Sequence, residues 1–212
     1  ALADGAGRPE SQAVALNPSS VSKLQLCGAI GPSNEDACAR KTVRTLARRA
    51  FRRPATKADV TTLMAQYAKG RRGGDYWTGI GSVIEYILVD PEFLFRFEPE
   101  PAGVVRPGAV HRLGDVALAS RLSFFLWSSI PDDELLGLAT RGKLRDPAVL
   151  EQQVRRMLRD VRSGAFADNF FGQWLTQRAL DRASPVPELF PAFDDNLRQA
   201  FKQENTLFVE SQ

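Results

Sequence analysis

The sequence predicts an all-α protein made of two consecutive helical modules joined by a Pro/Gly-rich linker. Three observations lead there. Apolar residues recur at helical spacing through most of the 212-residue chain, and no stretch alternates apolar and polar residues for long. The segment EPEPAGVVRPG, Glu98 to Gly108, holds three prolines and two glycines and separates two such runs. No internal repeat is detectable. The resulting division is an extended lead-in over residues 1–32, a first module over 33–98, a linker over 99–112 and a second module over 113–212.

The lead-in is rich in Ala, Gly, Pro and Ser and shows little periodicity. Ser33 or Asn34 is placed to cap the helix SNEDACARKTVRTLARRAFRR, whose early Glu35 and Asp36 and late arginines suit the helix dipole before Pro54 ends it. On a helical wheel Val43, Leu46, Ala47, Ala50 and Phe51 share one side, and Arg44, Arg48, Arg49, Arg52 and Arg53 the other. Thr56 with Asp59 three positions on is a capping box, leading to a stripe of Val60, Leu63, Met64 and Tyr67. After the RRGG turn, Trp77, Ile80, Ile84, Ile87 and Leu88 repeat at helical spacing, and Asp90-Pro91 opens a short turn through Phe93, Leu94 and Phe95.

In the second module Asp115 is expected to cap a helix holding Val116, Leu118, Ala119, Leu122, Phe125 and Leu126, with Phe124 and Trp127 widening its apolar surface. The stretch RLSFFLWSSIPDDELL, Arg121 to Leu136, reads as a corner between two helices. Its aromatic end, Phe125 included, is expected to be buried, and Pro131 helps to set the break. Asp146-Pro147 starts the next helix, with Val149, Leu150, Val154, Met157 and Leu158. A further helix runs through Phe166, Phe170 and Leu175, with Phe171 and Trp174 beside that stripe. In DRASPVPELFPAFD, Leu189, Phe190 and Phe193 are positioned to pin a loop to the bundle, and the final helix puts Leu197, Phe201 and Phe208 near one face.

With 43% hydrophobic and 25% charged residues the balance is that of a globular protein with a real core. A net charge of +3 is too small for a dedicated nucleic-acid binder. No apolar run reaches the roughly 18 to 20 residues of a bilayer span. The amino terminus lacks both the basic and the apolar region of a signal peptide, so any signal is expected to have been cleaved from a longer precursor or to be missing from this stretch. The stop at FVESQ inside a helical pattern suggests a fragment.

Candidate chemistry is sparse. Asp132, Asp133 and Glu134 are the most suggestive acids, but neighbours on a helix diverge by about 100° and do not converge on one point. Bonding the free N–H groups of a helix start is the simpler role. Arg44, Arg48, Arg49, Arg52 and Arg53, with Arg71 and Arg72 nearby, form a possible anion-binding face or else a solvated, salt-bridged one. His111 is the only histidine and follows the linker, which reads as a solvent-facing loop position. Ser123, Ser128 and Ser129 have no nearby histidine, and no phosphate loop, GxSxG, HExxH or dinucleotide fingerprint occurs. Cys27 and Cys38 flank a turn-rich loop and are either a disulfide, worth roughly 2 to 3 kcal/mol, or two free thiols. No CxxC or CxxCH is present.

Two blocks together carry a resemblance: CARKTVRTLARRAFRRPATKADV, Cys38 to Val60, and LGDVALASRLSFFLWSSIPDDELLGLATRGKLRDPAVLEQQVRRML, Leu113 to Leu158. NFFGQWLTQRALD, Asn169 to Asp181, LFPAFDDNLRQAF, Leu189 to Phe201, and ENTLF, Glu204 to Phe208, continue it. These stretches resemble planctomycete-type secreted proteins in which consecutive helical domains of unknown function accompany a c-type cytochrome domain. The resemblance implies an extracytoplasmic location and a redox setting, which favours the disulfide. It implies haem c in associated domains, a haem-bearing partner, and no cofactor bound by this segment alone. It transfers no catalytic residue. The expected role is a non-catalytic scaffold or docking segment; the alternatives are part of an oxidoreductase completed by the haem domain, and a module binding an acidic polymer through the arginine face.

Overall fold

The computed structural model describes residues 18–96, Val110 and residues 112–211. Among them there is no strand, and the all-α expectation holds. The chain divides into two compact units, residues 1–104 and 105–212. The linker over 99–112 falls almost wholly outside the described residues, as does His111.

The first unit contains α1 (Pro18–Leu24), α2 (Glu35–Ala50), α3 (Lys57–Arg71), α4 (Tyr76–Leu88) and α5 (Pro91–Leu94). Helix α1 lies inside the stretch expected to be extended; Pro18, with its fixed φ, opens it. Helices α3 and α4 form the closest pair, and α2 packs on both. Val43 and Ala47 of α2 meet Leu63 and Tyr67 of α3 and Ile80, Val83 and Ile87 of α4 in a single buried cluster. The α4 stripe is rotated from the expected one. Tyr76, Ile80, Val83 and Ile87 are inside, whereas Leu88 is half exposed and Trp77 and Ile84 are at the margin. The Thr56–Asp59 capping box forms as expected, and a second box, Asp75 with Thr78, starts α4.

The disulfide Cys27–Cys38 ties the loop before α2 to its first turns across a Cα separation of 6.1 Å. Lys41 Nζ adds a hydrogen bond to the carbonyl of Leu26. Cys38 is buried, as are Thr42 and Tyr76, whose hydroxyls are hydrogen-bonded 3.0 Å apart. Asn34 caps the adjoining loop rather than α2 itself: its Oδ1 accepts from Gly31 N and its Nδ2 donates to the carbonyl of Ala29.

The second unit contains α6 (Asp115–Trp127), α7 (Asp133–Thr140), a 3-10 turn at Lys143–Arg145, α8 (Pro147–Leu158) and α11 (Asp195–Glu210). Between α8 and α11 the single helix expected through Phe166, Phe170 and Leu175 is broken into short pieces. These are a 3-10 turn (Val161–Ser163), α9 (Gly164–Phe166), a π-helical turn (Ala167–Phe171), α10 (Gly172–Trp174) and a 3-10 turn (Gln177–Arg182). Gly164 and Gly172 weaken helix continuity, and Thr176, at φ 58°, turns the chain out of it.

Ala119, Leu126, Trp127, Leu135, Ala139, Leu144 and Met157 form the core of this unit. The corner at Ser128–Pro131 is as expected: Ser128 adopts φ 50° as the left-handed cap of α6, and Pro131 is buried. Two expectations fail there. Phe125 is 52% exposed, because the buried face of α6 runs through Ala119, Ser123, Leu126 and Trp127 and places Phe125 on the rim. Asp115 does not cap α6; Gly114 does, and the buried Asp115 carboxylate accepts from Leu144 N at 2.9 Å, tying the helix start to the 3-10 turn. Leu189 and Phe190 remain exposed and do not pin their loop.

Glycines set the spacing of α3 and α4, Gly70 against Ser82 and Gly79 against Tyr67. A Cβ on Gly79 would stand 2.6 Å from the Tyr67 ring, so α3 and α4 approach more closely than any other residue at position 79 permits. Gly79→Ala is expected to cost about 1 to 3 kcal/mol as the Tyr67 ring and its helix are forced apart. A shift of the urea midpoint with unchanged slope is the measurement.

Candidate functional site

In the second unit the candidate acids divide between structural tasks. Asp132 caps α7, its Oδ1 accepting from Leu135 N at 2.9 Å. The same carboxylate meets the Arg156 guanidinium of α8 in a two-pronged pair at 2.7 and 3.1 Å. Glu134 accepts from the buried Gln153 Nε2 at 2.8 Å, and Gln153 Oε1 accepts from Arg156 Nε at 2.9 Å. Asp133 is exposed on the first turn of α7. The three acids therefore do not converge on a reacting point.

Beneath this network lies Trp127, 3% exposed, whose indole N–H donates to the carbonyl of Met157 at 2.9 Å. Arg162 covers the ring at 3.5 Å from its centroid and Arg156 at 5.6 Å. Arg162 is held in turn by Asp160 at 2.6 Å. Burial pushes the Asp132 carboxyl up, but the Arg156 guanidinium and the Leu135 N–H outweigh it and leave the group below its ordinary range. An acid held ionised and paired in this way is no proton donor near neutral pH.

The arginine face expected on α2 does not form as drawn. Helix α2 ends at Ala50, and Arg52, at φ 55°, turns inward to 7% exposure. Its guanidinium donates to the carbonyls of Ala50, Glu92, Phe93 and Phe95, supplying the hydrogen bonds that the short α5 and its flank cannot make internally. Arg53 pairs with Asp59 at 2.6 Å and with Glu92. The sequence could not separate these two from Arg44, Arg48 and Arg49, because the wheel assumed that the helix continued to Pro54. Arg44 and Arg49 are exposed and Arg48 partly so. Arg71 binds Glu35 at 2.7 Å and Arg72 is exposed.

Of the serines, Ser123 is fully buried and donates to the carbonyl of Ser120, while Ser128 accepts from Asn169 Nδ2 at 2.8 Å. Among the described residues no group of three or more His, Cys, Asp or Glu side chains is placed to hold a metal. No described helix is long and apolar enough to cross a membrane.

The aromatics expected along and beside one helical stripe gather with Phe125 in a cluster that is partly at the surface. Phe125, Phe166, Phe170, Phe171 and Trp174 form a continuous ring cluster, with Phe166 stacked on Phe170 at 5.2 Å and Phe166 edge-on to Phe171 at 5.4 Å. The wider π-helical turn aligns residues five apart, bringing Phe171 as well as Phe170 onto Phe166. Trp174 is nonetheless 69% exposed and Phe170 41%. The signal in the sequence was the density of aromatics in FADNFFGQW, more than one helical face can bury.

The Arg53–Asp59 pair gives a measurable acid dependence. Arg53 holds the Asp59 carboxyl down to about 2, against the opposing push of burial and with help from Thr56 N. The unfolded value is about 3.9, so this stabilisation is complete above about pH 5 and is lost as pH falls through about 2. Wild type should lose about 2 kcal/mol more than Asp59→Asn over that interval in denaturant titrations.

Comparison with known proteins bears on both units. Residues 38–98 match the family model PSD5, described as a protein of unknown function (DUF1595). Residues 113–212 match the model PSD4, described as a protein of unknown function (DUF1592). No curated protein matches the chain, and no solved structure matches it. The chain is therefore similar, over two consecutive spans, to two families described only as proteins of unknown function.

Proposed function

We propose that this chain is a non-catalytic helical scaffold and docking segment of a secreted protein that carries a c-type haem in an associated domain. The observation that carries the reading is the use made of its acids. Asp132, Glu134, Asp59 and Asp115 hold helix starts, arginines or backbone N–H groups, with none left as a poised acid or nucleophile at a converging site. The Cys27–Cys38 disulfide supports an extracytoplasmic setting. The resemblance of Cys38–Val60 and Leu113–Leu158 to secreted cytochrome-associated proteins supports the haem-bearing partner.

The docking surface in this reading is the outer face of α11. Among the described side chains of that helix none is buried, and Leu207 and Phe208 are 55% and 66% exposed. Unpartnered faces of this kind mark interaction sites more often than scattered single exposures do.

The test is co-expression of the chain with the c-type haem domain of the same precursor. Wild type is expected to co-purify with the haem domain, and Phe208→Asp to lose at least tenfold in affinity with its melting temperature unchanged. A Soret band in the chain purified alone, or equal binding by the variant, would overturn the reading.

A further inference from the structure

The exposed aromatic strip of the second unit goes beyond the scaffold reading and requires no haem domain. On the turns from Phe166 to Trp174, the ring stripe Phe170 and Trp174 lies beside an amide stripe, Asn169 and Gln173, each pair spaced four residues apart. The rings are fixed from below. Phe166 and Phe171 brace Phe170, Phe171 braces Trp174, and Phe125 of α6 closes against both Phe166 and Phe170.

The amides are fixed as well. Gln173 Nε2 donates to the carbonyl of Asn169 at 2.8 Å, Asn169 Nδ2 to Ser128 Oγ at 2.8 Å, and Arg178 to Asn169 Oδ1 at 3.2 Å. An apolar surface of two mutually tilted rings is thus bordered on one side by planar hydrogen-bonding groups. The charges on and beside these turns are one of each sign, Asp168 and Arg178, so the strip presents no net charge to an ionic ligand.

We infer that Phe170 and Trp174 form a stacking platform for a neutral polysaccharide. The C–H face of a pyranose is apolar and matches an aromatic face, and its equatorial hydroxyls project sideways to an amide and guanidinium border. The two ring centroids, 6.1 Å apart and tilted by 39°, lie at a separation comparable to that of successive sugars in an extended chain. A purely apolar partner would make no use of the second N–H that each amide keeps beyond these bonds, and one charge of each sign gives no net attraction to an acidic or a basic polymer. Rings held by other rings lose little freedom on binding, which favours an open platform over an enclosed pocket.

The test is affinity electrophoresis of the full chain in native gels containing hydroxyethylcellulose, arabinoxylan, laminarin or glucomannan, with alginate as the anionic control. Retardation is expected in at least one neutral gel, at least tenfold weaker for Trp174→Ala, weaker for Phe170→Ala and largely retained in Trp174→Phe. Because Trp174 is exposed, Trp174→Ala and Trp174→Phe should keep the wild-type melting temperature and circular dichroism, so that a loss in Trp174→Ala reports the surface. Absence of retardation in every neutral gel, retardation unaffected by Trp174→Ala, or binding to alginate alone would overturn the inference. Trp174-dependent self-association in sugar-free buffer, read by sedimentation, would overturn it too and assign the strip to contact between copies.

Discussion

The pairing of Asp132 with Arg156 is the interaction on which the second unit depends. Helices of 8 to 13 residues, the lengths of α6, α7 and α8, are marginal by themselves in water. Their ends must be satisfied and their directions fixed by something other than propensity. One carboxylate caps α7 and one guanidinium anchors it to α8, while the same guanidinium approaches the buried face of Trp127 at the end of α6. The corner between α6 and α7 is thereby locked to the helix that follows. Removing either partner leaves the other half-buried charge without its neighbour, which costs more than the pair gains.

The first unit solves the same problem with different groups. There the buried Arg52 gathers carbonyls from the end of α2 and from the short turn α5, and Arg53 joins Asp59 at the start of α3 to Glu92 of α5. The disulfide fastens the loop ahead of α2 to the other side of the cluster. Both units therefore use arginine as a fastener between chain segments. A planar group with several donors can serve two or three acceptors at once, which an ammonium does less well.

The fold was legible where local chemistry was strong. The Thr56–Asp59 box and the Asp90, Asp132 and Asp146 caps are each set by residues a few positions apart, and each forms. What failed to read depended on partners distant in sequence. Arg52 looked like one more cation on a helix face because its acceptors lie some forty residues away. Phe125 looked like core because helical spacing alone does not say which of two aromatics two positions apart turns inward, and Trp127 took that place through its bond to Met157. The ring strip was hidden for a third reason: a π-helical turn changes the period on which the face assignment rested. Among the candidate site residues, the sequence favoured a helix-starting role for Asp132 to Glu134, and it left both the disulfide and the fate of the arginines open.

The functional account follows from where the polar groups are used. Asp132, Asp59, Arg52, Arg53 and Arg156 join chain segments, and the described surface also carries two apolar features, the outer face of α11 and the strip from Phe170 to Trp174. These uses of the charged groups are what support the proposed role by contact. The most direct measurement of that claim is a double-mutant cycle with Asp132→Ala and Arg156→Ala in urea. The account predicts a coupling of about 1 to 3 kcal/mol, with each single variant clearly destabilised. A coupling indistinguishable from zero, with Asp132→Ala as stable as wild type, would contradict it and return Asp132 to the residues free for chemistry.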